Sequence, residues 1–593
     1  MSDSLEKLSP EQLTVQNLIH SGEEAVSEEI RLCDEALLVL DEGKHEWART
    51  SCADRIVILQ QIKTALLQQS EGWAEIAARR KSLPAQSTLT GEEWFAGPLP
   101  VMATCNGLVE TLSNMENKAF LAQLPHRRVA KGQLALQVFP HTLWDRLLLS
   151  GVKAEVWMQR GVSEISIEAA SAYDPPASER FGKLALVLGA GNVSAISPLD
   201  AFHKLFVENE VVLLKLNPVN DYLFDYLKAA LKPLIDRNAL RIVRGGGRVG
   251  AYLAEHPLVE SIHITGAAAT HDLIVWGVGT DTNAHKKTGK PLNTRRITSE
   301  LGAVCPTIVV PGPWTKADIR FQAEQIATQK MQNSGYNCVA MQTLILPEAW
   351  EGTEALLREL KAVIASHGQR ERYYPGSQQR GADFRAHGGI DAFDQSGNLA
   401  CLVADFDQDD SDWLANNEVF APAFTIKYLP EENPRTYLTS AIDFANEKLH
   451  GTLGANIVIH PVTIKKMGHD KFESLLGQLR YGTIAINTWT GLAFLLNACP
   501  WGGFPGASLR EPGSGIGTVH NTWMLERTEK TVVQAPWRPF PRNLLSLNFS
   551  LLPRPPWFIT NRKQHILGRL LTYFQYYPSI RKLPGVFINA LKG

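Results

Sequence analysis

Short apolar runs alternate with amphipathic stretches from residue 181 onward. The runs have the length of buried strands, and the stretches between them carry apolar residues at helical spacing. Repeated succession of strand and helix predicts a doubly wound, largely parallel sheet, which binds ligands at the carboxyl ends of its strands. The predicted strands are 184–188, 211–214, 240–243 and 261–264, and the predicted helices are 221–231 and 248–255.

A second α/β region spans about 303–500. Its predicted strands are 306–310, 343–346, 424–426, 457–459 and 482–487, and its predicted helices are 319–332 and 353–366. Two earlier stretches differ, since residues 10–80 have helical periodicity and residues 127–170 alternate apolar and polar positions. The first predicts helices and the second an antiparallel β ribbon.

Composition and charge narrow the class of protein. The 593 residues are 44% hydrophobic and 20% charged with a formal net charge of −2, as in a globular protein with no indication of nucleic-acid binding. Seven scattered cysteines without a CxxC pair disfavour a disulfide framework and predict no metal site. The polar N-terminus and the lack of an apolar run of about 18 residues predict neither signal peptide nor membrane span. We therefore expect a cytoplasmic protein.

One cysteine and one glutamate are the candidate chemical groups. Cys338 lies in a loop between the predicted helix 319–332 and the predicted strand 343–346. A lone cysteine is more often inert core than a nucleophile. Glu300, in the preceding stretch Thr298–Gly302, supplies a candidate general base, and the pair favours nucleophilic chemistry.

A glycine run follows the third predicted strand. Residues 245–250 formally satisfy the pattern G-x-G-x-x-G. Three adjacent glycines satisfy many patterns, and no acidic residue follows at the strand end where a ribose would bind. A tight turn and a phosphate cradle therefore both remain open.

The C-terminal stretch from residue 537 onward contains no Asp or Glu and is rich in basic and aromatic residues. Thr560 is a candidate cap of a helix, and the apolar residues of that helix share one face. These residues are Ile566, Leu567, Leu570, Leu571 and Phe574. A basic amphipathic helix either lies on an anionic membrane surface or docks on the body of its own protein, and docking is the more common arrangement.

Seven segments, in order along the chain, resemble the aldehyde dehydrogenase superfamily. They are Gly191–Asp200, Val212–Lys215, Ile264–Gly266, Glu300–Gly302, Asn333–Ala340, Glu418–Pro422 and Pro500–Phe504. Each is weak alone, but their common order makes the resemblance strong over most of residues 50–540. It implies an α/β fold with a Rossmann-type nucleotide-binding domain, an α/β catalytic domain and a small β oligomerisation ribbon.

The resemblance also implies roles for individual residues. Cys338 would attack an aldehyde to give a thiohemiacetal, from which hydride passes to NAD or NADP, and Glu300 would activate the water that hydrolyses the thioester. Asp200 stands where the superfamily has the asparagine that stabilises the oxyanion. The residues implied to bind the cofactor are Lys215, Thr265, Gly266, Leu301, Glu418 and Phe420.

Three departures from the superfamily pattern matter for chemistry. A carboxylate at Asp200 would repel the developing oxyanion unless it is protonated, and one lost donor typically costs about 3 kcal/mol. Ala267 replaces a serine that contacts phosphate. Pro218 replaces a glutamate that binds the adenosine ribose and rejects a 2′-phosphate, so the choice between NAD and NADP stays open.

The leading hypothesis is the oxidation of an aldehyde to a carboxylic acid. Trp489 and Phe494, near the implied substrate tunnel, favour an apolar aldehyde. One alternative is an acylating enzyme that passes the acyl group to coenzyme A, which Glu300 disfavours. Another is a catalytically weak binding or membrane-associated protein, which Asp200 and the basic C-terminal stretch favour.

The resemblance divides the chain into six parts and implies self-association. The parts are 1–126, helices of the cofactor domain; 127–162, the ribbon; 163–301, the NAD(P)-binding domain; 302–517, the catalytic domain; 518–540, an oligomerisation strand; and 541–593, the basic aromatic extension. Strands exposed in the ribbon need a partner, so we expect a homodimer or homotetramer. The extension would allow peripheral contact with the inner face of a membrane.

Overall fold

Two large β-sheets, each covered by helices, organise the chain. The computed structural model describes residues 10–277, 282–367, 370–388, 391–392, 401–538 and 554–593. Within these residues, no helix is both long and apolar enough to cross a membrane.

The strands are numbered along the chain. They are β1 His126–Arg128, β2 Leu134–Phe139, β3 Lys153–Met158, β4 Leu184–Leu188, β5 Val211–Lys215, β6 Leu240–Val243, β7 Ser261–Gly266, β8 Arg296–Leu301, β9 Cys305–Val309, β10 Met341–Pro347, β11 Asp391–Ala392, β12 Leu402–Asp405, β13 Ala423–Leu429, β14 Gly454–Val458, β15 Thr483–Ile486, β16 Pro500–Trp501, β17 Gly515–Ile516, β18 Val519–His520 and β19 Thr528–Gln534.

The helices are numbered in the same way. They are α1 Pro10–Arg49, α2 Cys52–Arg80, α3 Gly91–Phe95, α4 Pro98–Ser113, α5 Leu143–Leu148, α6 Ile196–Phe202, α7 Phe224–Ala230, α8 Lys232–Ile235, α9 Gly247–Glu255, α10 Ala268–Trp276, α11 Thr282–Thr288, α12 Lys316–Met331, α13 Gly352–His367, α14 Ser377–His387, α15 Ser411–Asn416, α16 Pro434–Lys448, α17 Pro461–Met467, α18 His469–Leu476, α19 Gly491–Leu495, α20 Gln564–Tyr576 and α21 Leu583–Leu591.

The first sheet has the strand order β17-β8-β7-β4-β5-β6. All neighbours are parallel except β17, which pairs antiparallel with β8. The four apolar runs predicted as strands of this region form β4, β5, β6 and β7, because they are buried between helices on both faces. The doubly wound α/β class predicted from the periodicity is confirmed.

The second sheet has the strand order β1-β2-β3-β19-β15-β14-β9-β10-β13-β12-β11. Its central strands from β15 to β12 are parallel, as predicted for the second α/β region. The antiparallel ribbon is also present, since β1 pairs with β2 and β2 with β3. The sheet therefore joins the ribbon and the parallel strands into one continuous surface.

The ribbon finds its partner strand within the chain. β3 pairs antiparallel with β19, and β19 pairs parallel with β15. Within this chain β19 fills the position beside β15, and the predicted pairing of the ribbon between subunits stays a prediction. The open edge is the short β1, where Arg127 forms ion pairs with Glu155 and Glu473. Charged side chains protect such an edge, so the predicted oligomer lacks the support of exposed strands and stays a prediction.

The C-terminal helices α20 and α21 dock on the body of the protein. α20 packs against α3, α4 and α2 and buries Leu567 and Phe574. The predicted Thr560 cap is wrong, because α20 begins at Gln564 and the Thr560 hydroxyl donates to Glu324 at 2.8 Å. Of the two predicted arrangements, docking on the body of the protein is therefore the one found for residues 554–593. Residues 541–553 lie outside the described residues, and membrane contact there stays a prediction.

Candidate active site

The loop that carries Cys338 has an unusual backbone. It follows α12 and passes through Asn333, Ser334 and Gly335, whose φ angles are 53°, 56° and 80°. Left-handed φ angles are uncommon outside glycine, and a side chain at Gly335 would also lie 2.9 Å from the carbonyl oxygen of Ala421. The loop therefore depends on surrounding contacts to keep this conformation.

Asn333 is held by a buried ion pair from the N-terminal helices. Lys81 donates to the Asn333 side-chain oxygen at 2.9 Å and forms an ion pair with Glu93 at 2.9 Å, both side chains being at most 4% exposed. Tyr373 also donates to the same oxygen at 2.9 Å. The Asn333 amide nitrogen donates in turn to the carbonyl oxygen of Asn192 at 3.1 Å. The Cys338 loop is thus tied to the segment that follows β4.

A second buried ion pair fixes the same loop. Arg370 binds both carboxylate oxygens of Glu92 at 2.8 and 3.1 Å and donates to the carbonyl oxygen of Met331. The Glu92 carboxylate accepts the backbone N–H of Asn333 at 3.2 Å. We call Lys81, Glu92, Glu93, Arg370 and Tyr373 the loop clamp. Sequence analysis missed the clamp, because no local pattern marks charged residues that lie far apart along the chain and meet only in the folded protein.

The thiol of Cys338 lies beside the carboxylate of Glu300. Cys338 is partly exposed, whereas Glu300 is 2% exposed on β8. Burial and the neighbouring Glu300 carboxylate raise the pKa of the Cys338 thiol well above its usual value. Burial, together with the charge of Asp200, raises the pKa of Glu300 to about 7. A carboxylate with such a pKa is suited to take up and release protons near neutral pH.

Glu418 lies against the backbone that follows Glu300. A Cβ atom at Gly302 would lie 1.8 Å from Oε2 of Glu418, so only glycine leaves room for this carboxylate. Burial and the nearby Glu300 raise the pKa of Glu418 to about 8. Its Oε1 atom is buried and has no hydrogen-bond partner among the described residues. This buried oxygen is therefore available for a hydrogen bond to a further group.

Asp200 is an acceptor here. On α6, its Oδ2 accepts the Thr265 hydroxyl at 2.8 Å and lies 3.5 Å from Nε2 of His263. Its Oδ1 is buried without a partner among the described residues. The structure thus joins two predicted site residues, Asp200 and Thr265, directly to each other. While ionised, Asp200 adds negative charge beside Glu300 and supplies no donor to an oxyanion.

His520 is a further buried group that sequence analysis missed. Its ring lies 4.6 Å from Phe494 and 6.4 Å from Trp501, measured between ring centroids. Trp501 adjoins Glu300, and the charge of Asp200 is close enough to affect the pKa of the His520 imidazole. Burial lowers the pKa of His520 to about 4, so the ring is neutral at pH 7. Neither ring nitrogen has a hydrogen-bond partner among the described residues.

Lys215 and Gly266 lie at the carboxyl ends of β5 and β7 in the first sheet. Lys215 ends β5, and burial lowers the pKa of its ammonium group, which donates to the carbonyl oxygen of Leu216 at 3.2 Å. Gly250 of α9 approaches this side chain, since a Cβ there would lie 3.8 Å from Cε of Lys215. Gly266 and the start of α10 are exposed. Free helix N-termini and a lysine suit a diphosphate and a ribose.

Aromatic side chains flank the Cys338 loop on its other side. Phe420, with a φ angle of 46°, lies 5.0 Å from Tyr374 and 5.9 Å from Tyr336 between ring centroids. Arg380 lies 5.9 Å from the Phe420 ring and donates to the carbonyl oxygen of Val419 at 2.9 Å. Phe420 is thus held in a strained backbone conformation beside Glu418.

The sequence model of the aldehyde dehydrogenase family matches residues 211–528. This range contains Cys338, Glu300 and Glu418 and covers more than half of the chain. The chain belongs to the aldehyde dehydrogenase family. Asp200 lies before the matched range of this family member.

Individual relatives of this aldehyde dehydrogenase family member are distant. N-succinylglutamate 5-semialdehyde dehydrogenase of Sphingopyxis alaskensis is 23% identical over 316 residues, which cover 53% of this chain and 52% of that protein. The chain thus spans about half the length of that curated relative. The alignment supports common descent of the two proteins.

Solved structures of the family share the fold. The NAD-dependent aldehyde dehydrogenase of Sinorhizobium meliloti is 16% identical with a TM-score of 0.55, covering 87% of this chain and 88% of that one. NADP-dependent glyceraldehyde-3-phosphate dehydrogenase of Bacillus halodurans, complexed with NADP, is 17% identical with a TM-score of 0.54 and coverages of 85% and 91%. At these identities the likeness establishes the fold alone.

The predicted site residues fall into two groups in this family member. Cys338, Glu300 and Glu418 influence one another electrostatically, and Asp200 joins them through Glu300. Lys215 lies apart, near Asp221. Leu301 is buried and pairs in register with Gly266 across β8 and β7, which aligns the two groups along one sheet edge.

Proposed function

We propose that the protein oxidises an aldehyde to a carboxylic acid with NAD or NADP. The observation that carries this proposal is the Cys338 thiol beside the Glu300 carboxylate, which lies on the same sheet as the strand ends that carry Lys215 and Gly266. A thiol and a carboxylate with a pKa of about 7 form a nucleophile and its base. The loop clamp keeps the thiol in position.

Glu300 has two tasks in this proposal. It takes the proton of the Cys338 thiol, whose sulfur then bonds to the aldehyde carbon and gives a thiohemiacetal. After oxidation to the thioester, Glu300 releases this first proton to solvent and then removes a proton from water, and the resulting hydroxide adds to the acyl carbon. The carbon–sulfur bond breaks to release the acid, and Glu300 returns its second proton to the departing thiolate, which regenerates the thiol. The raised pKa of Glu300 suits both uptake and release of a proton at neutral pH.

The residues present fit a nicotinamide cofactor. The unpaired Oε1 of Glu418 would accept the ribose hydroxyls of the nicotinamide half, and Phe420 would support its ring. Lys215 would hold the adenosine ribose, and the exposed start of α10 at Gly266 would face the diphosphate. When bound, the nicotinamide supplies the hydride acceptor that the protein lacks.

Asp221 favours NAD over NADP. Its carboxylate lies near Lys215, and its Oδ1 is buried without a partner among the described residues. A carboxylate there would accept the two hydroxyls of the adenosine ribose and repel a 2′-phosphate. Asp221 would thereby take the role of the superfamily glutamate whose position Pro218 occupies. We expect Asp221→Asn to lower the preference for NAD without affecting turnover at saturating cofactor.

The test is reduction of NAD or NADP by purified protein with a panel of aldehydes. Reduced cofactor should form together with the free acid, and Cys338→Ala should abolish both. Cys52→Ala is the matched control, because Cys52 is likewise partly exposed but lies on α2. Equal activity of Cys338→Ala and the parent would refute the mechanism. Product that forms only when coenzyme A is added would show acyl transfer to a thiol in place of hydrolysis.

A further inference from the structure

A line of polar side chains crosses one face of the first sheet. Parallel strands that are covered on both faces are normally apolar throughout, as β4 is. The buried polar residues of this line are Ser261, His263 and Thr265 on β7, and Thr298 and Glu300 on β8. Side chains alternate between the two faces of a strand, and His263 pairs in register with Thr298 as Thr265 does with Glu300. These groups are therefore neighbours on one face, and their burial indicates a role beyond packing.

Hydrogen bonds join three of these groups into a chain. Oγ1 of Thr265 lies 3.3 Å from Nε2 of His263, and Nδ1 of the same ring lies 2.9 Å from Oγ1 of Thr298. We call Thr265, His263 and Thr298 the polar path. Asp200 orients its first member by accepting the Thr265 hydroxyl at 2.8 Å, and Oδ2 of Asp200 lies 3.5 Å from Nε2 of His263. On the other side of His263, β4 presents the apolar Val187.

The inner end of the polar path adjoins Glu300. Thr265 and Glu300 are paired in register on adjacent parallel strands, which lie about 4.8 Å apart. Oε1 of Glu300 is buried and has no hydrogen-bond partner among the described residues. A small rotation of the glutamate side chain, or one bridging water molecule, connects this carboxyl to the Thr265 hydroxyl.

The outer end of the polar path opens into a groove of about 830 Å³. Thr298 lines this groove together with Arg296 and Glu208, which form an ion pair with each other. Phe181 also lines the groove and is 77% exposed, so the groove is open to water. The Thr298 hydroxyl is therefore the point at which the polar path meets solvent.

The proposed oxidation requires a connection of this kind. Glu300 takes the proton of the Cys338 thiol and must release it before it can remove a proton from water. The Glu300 side chain is buried, so this proton needs carriers to reach solvent. Hydroxyl and imidazole groups are such carriers, since each can accept a proton on one atom and donate one to the next group.

We propose that the polar path conducts the proton of the Cys338 thiol from Glu300 to water in the groove in each turnover. This role rests on the proposed oxidation at Cys338. Glu300 gives its proton to Oγ1 of Thr265 while that hydroxyl passes its own proton to Nε2 of His263. The imidazolium then releases its Nδ1 proton to Oγ1 of Thr298, and the Thr298 hydroxyl passes its own proton to water. One proton thus leaves Glu300 and one enters water, and rotation of the imidazole ring restores the starting arrangement.

Rapid-mixing kinetics test the polar path. Acylation and hydride transfer precede proton release, so His263→Phe should form about one equivalent of reduced cofactor per site at the parental rate. Later turnovers should be slower by about tenfold or more, because hydrolysis of the thioester waits for Glu300 to lose its proton. Thr298→Val removes the last hydroxyl, keeps the side-chain shape and should show the same pattern. Ser299→Ala is the matched control, because Ser299 is equally buried on β8 but lies on the other face.

Two results of this experiment would overturn the proposal. Parental rates for all turnovers in both His263→Phe and Thr298→Val would show that the proton leaves by another route. Equal slowing of the first and the later turnovers would show that these residues only support the structure of the site. If His263→Phe fails to fold, Thr298→Val decides between these outcomes.

Proton exchange at Glu300 separates this inference from the proposed oxidation. The infrared band of the protonated Glu300 carboxyl, identified by its loss in Glu300→Gln, shifts when deuterium replaces the proton after transfer to heavy water. This exchange should be slower by about tenfold or more in His263→Phe and Thr298→Val than in the parent and Ser299→Ala. That pattern in a protein that oxidises no aldehyde would support the polar path while refuting the proposed function. Aldehyde oxidation with parental exchange rates in both variants would overturn the polar path alone.

Discussion

The Gly302→Ala substitution tests how closely the candidate site is built around Glu418. The added methyl group would lie 1.8 Å from Oε2 and 2.2 Å from the carboxyl carbon of Glu418, whereas Cβ contacts below 3.0 Å are essentially never seen. The carboxylate must therefore move by about 1 Å, while Gly302 itself lies outside the left-handed region and accepts alanine. The displaced group is the end of a flexible side chain, so the fold should remain intact.

The displacement has a defined cost if Glu418 positions the cofactor. A misplacement of about 1 Å can lower a rate by roughly 100-fold, so we expect kcat/KM for NAD to fall about 10- to 100-fold. This range corresponds to about 1.4 to 2.7 kcal/mol. The loss should appear mainly as a higher KM for NAD, because Cys338 and Glu300 keep their places.

The assay combines steady-state kinetics at varied NAD with thermal unfolding. Gly585→Ala is the control, because an added Cβ at Gly585 meets no atom within 4 Å. Both variants should unfold near the temperature of the parent, and only Gly302→Ala should need more NAD. Parental KM and kcat in Gly302→Ala would refute the role assigned to Glu418. Loss of folding in Gly302→Ala would equally contradict the claim that the carboxylate simply moves aside.

Three other predictions concern the charges around the nucleophile. Burial stabilises the protonated form of Glu300, whose pKa is about 7 in the folded protein and 4.5 in the unfolded chain. The contribution of Glu300 to stability is therefore present below pH 4.5 and lost as the pH rises through 7. Glu300→Gln should be about 3 kcal/mol more stable than the parent at pH 8 and equally stable at pH 4, measured by thermal unfolding. Asp200→Asn keeps an acceptor for Thr265 and adds a donor, so kcat should rise about tenfold or more in steady-state assays, whereas a fall would show that the ionised carboxylate is needed. Lys81→Met and Glu93→Gln should each lower the free energy of unfolding by about 3 to 5 kcal/mol, because each leaves a buried charge without its partner. The double variant should lose clearly less than the sum of the two, and additive losses in unfolding measurements would contradict a buried ion pair.

Local periodicity predicted many strands of both sheets but missed β8, the strand that carries Glu300. The runs at Leu184–Leu188 and Leu240–Val243 form strands with the predicted bounds, because burial on both faces requires uninterrupted apolar residues. The position of Cys338 after a helix and before a strand is confirmed for the same reason. Order along the chain, together with the motif residues, then predicted the family.

Contacts between distant residues were not predictable in this way. Lys81 reaches Asn333 across 252 positions, and no periodic pattern marks two residues so far apart. His520 lies in a stretch without a motif, and its importance arises only from the aromatic rings that enclose it. Thr560 has the composition of a helix cap, but Glu324 offers its hydroxyl a charged acceptor, so tertiary contact overrides the local preference.

Closure of the ribbon within one chain has a consequence for biosynthesis. β3 leaves the ribosome long before its neighbour β19, and 369 positions separate Gln159 from Thr528, which contact each other at that junction. At ordinary elongation rates this delay is about 20 to 75 s. During that time β3 presents an unpaired edge to other nascent chains, whereas β15 is synthesised only shortly before β19. Deleting residues 528–534 should therefore turn a well-behaved protein into one that aggregates during expression, even though the nucleophile and its base are complete.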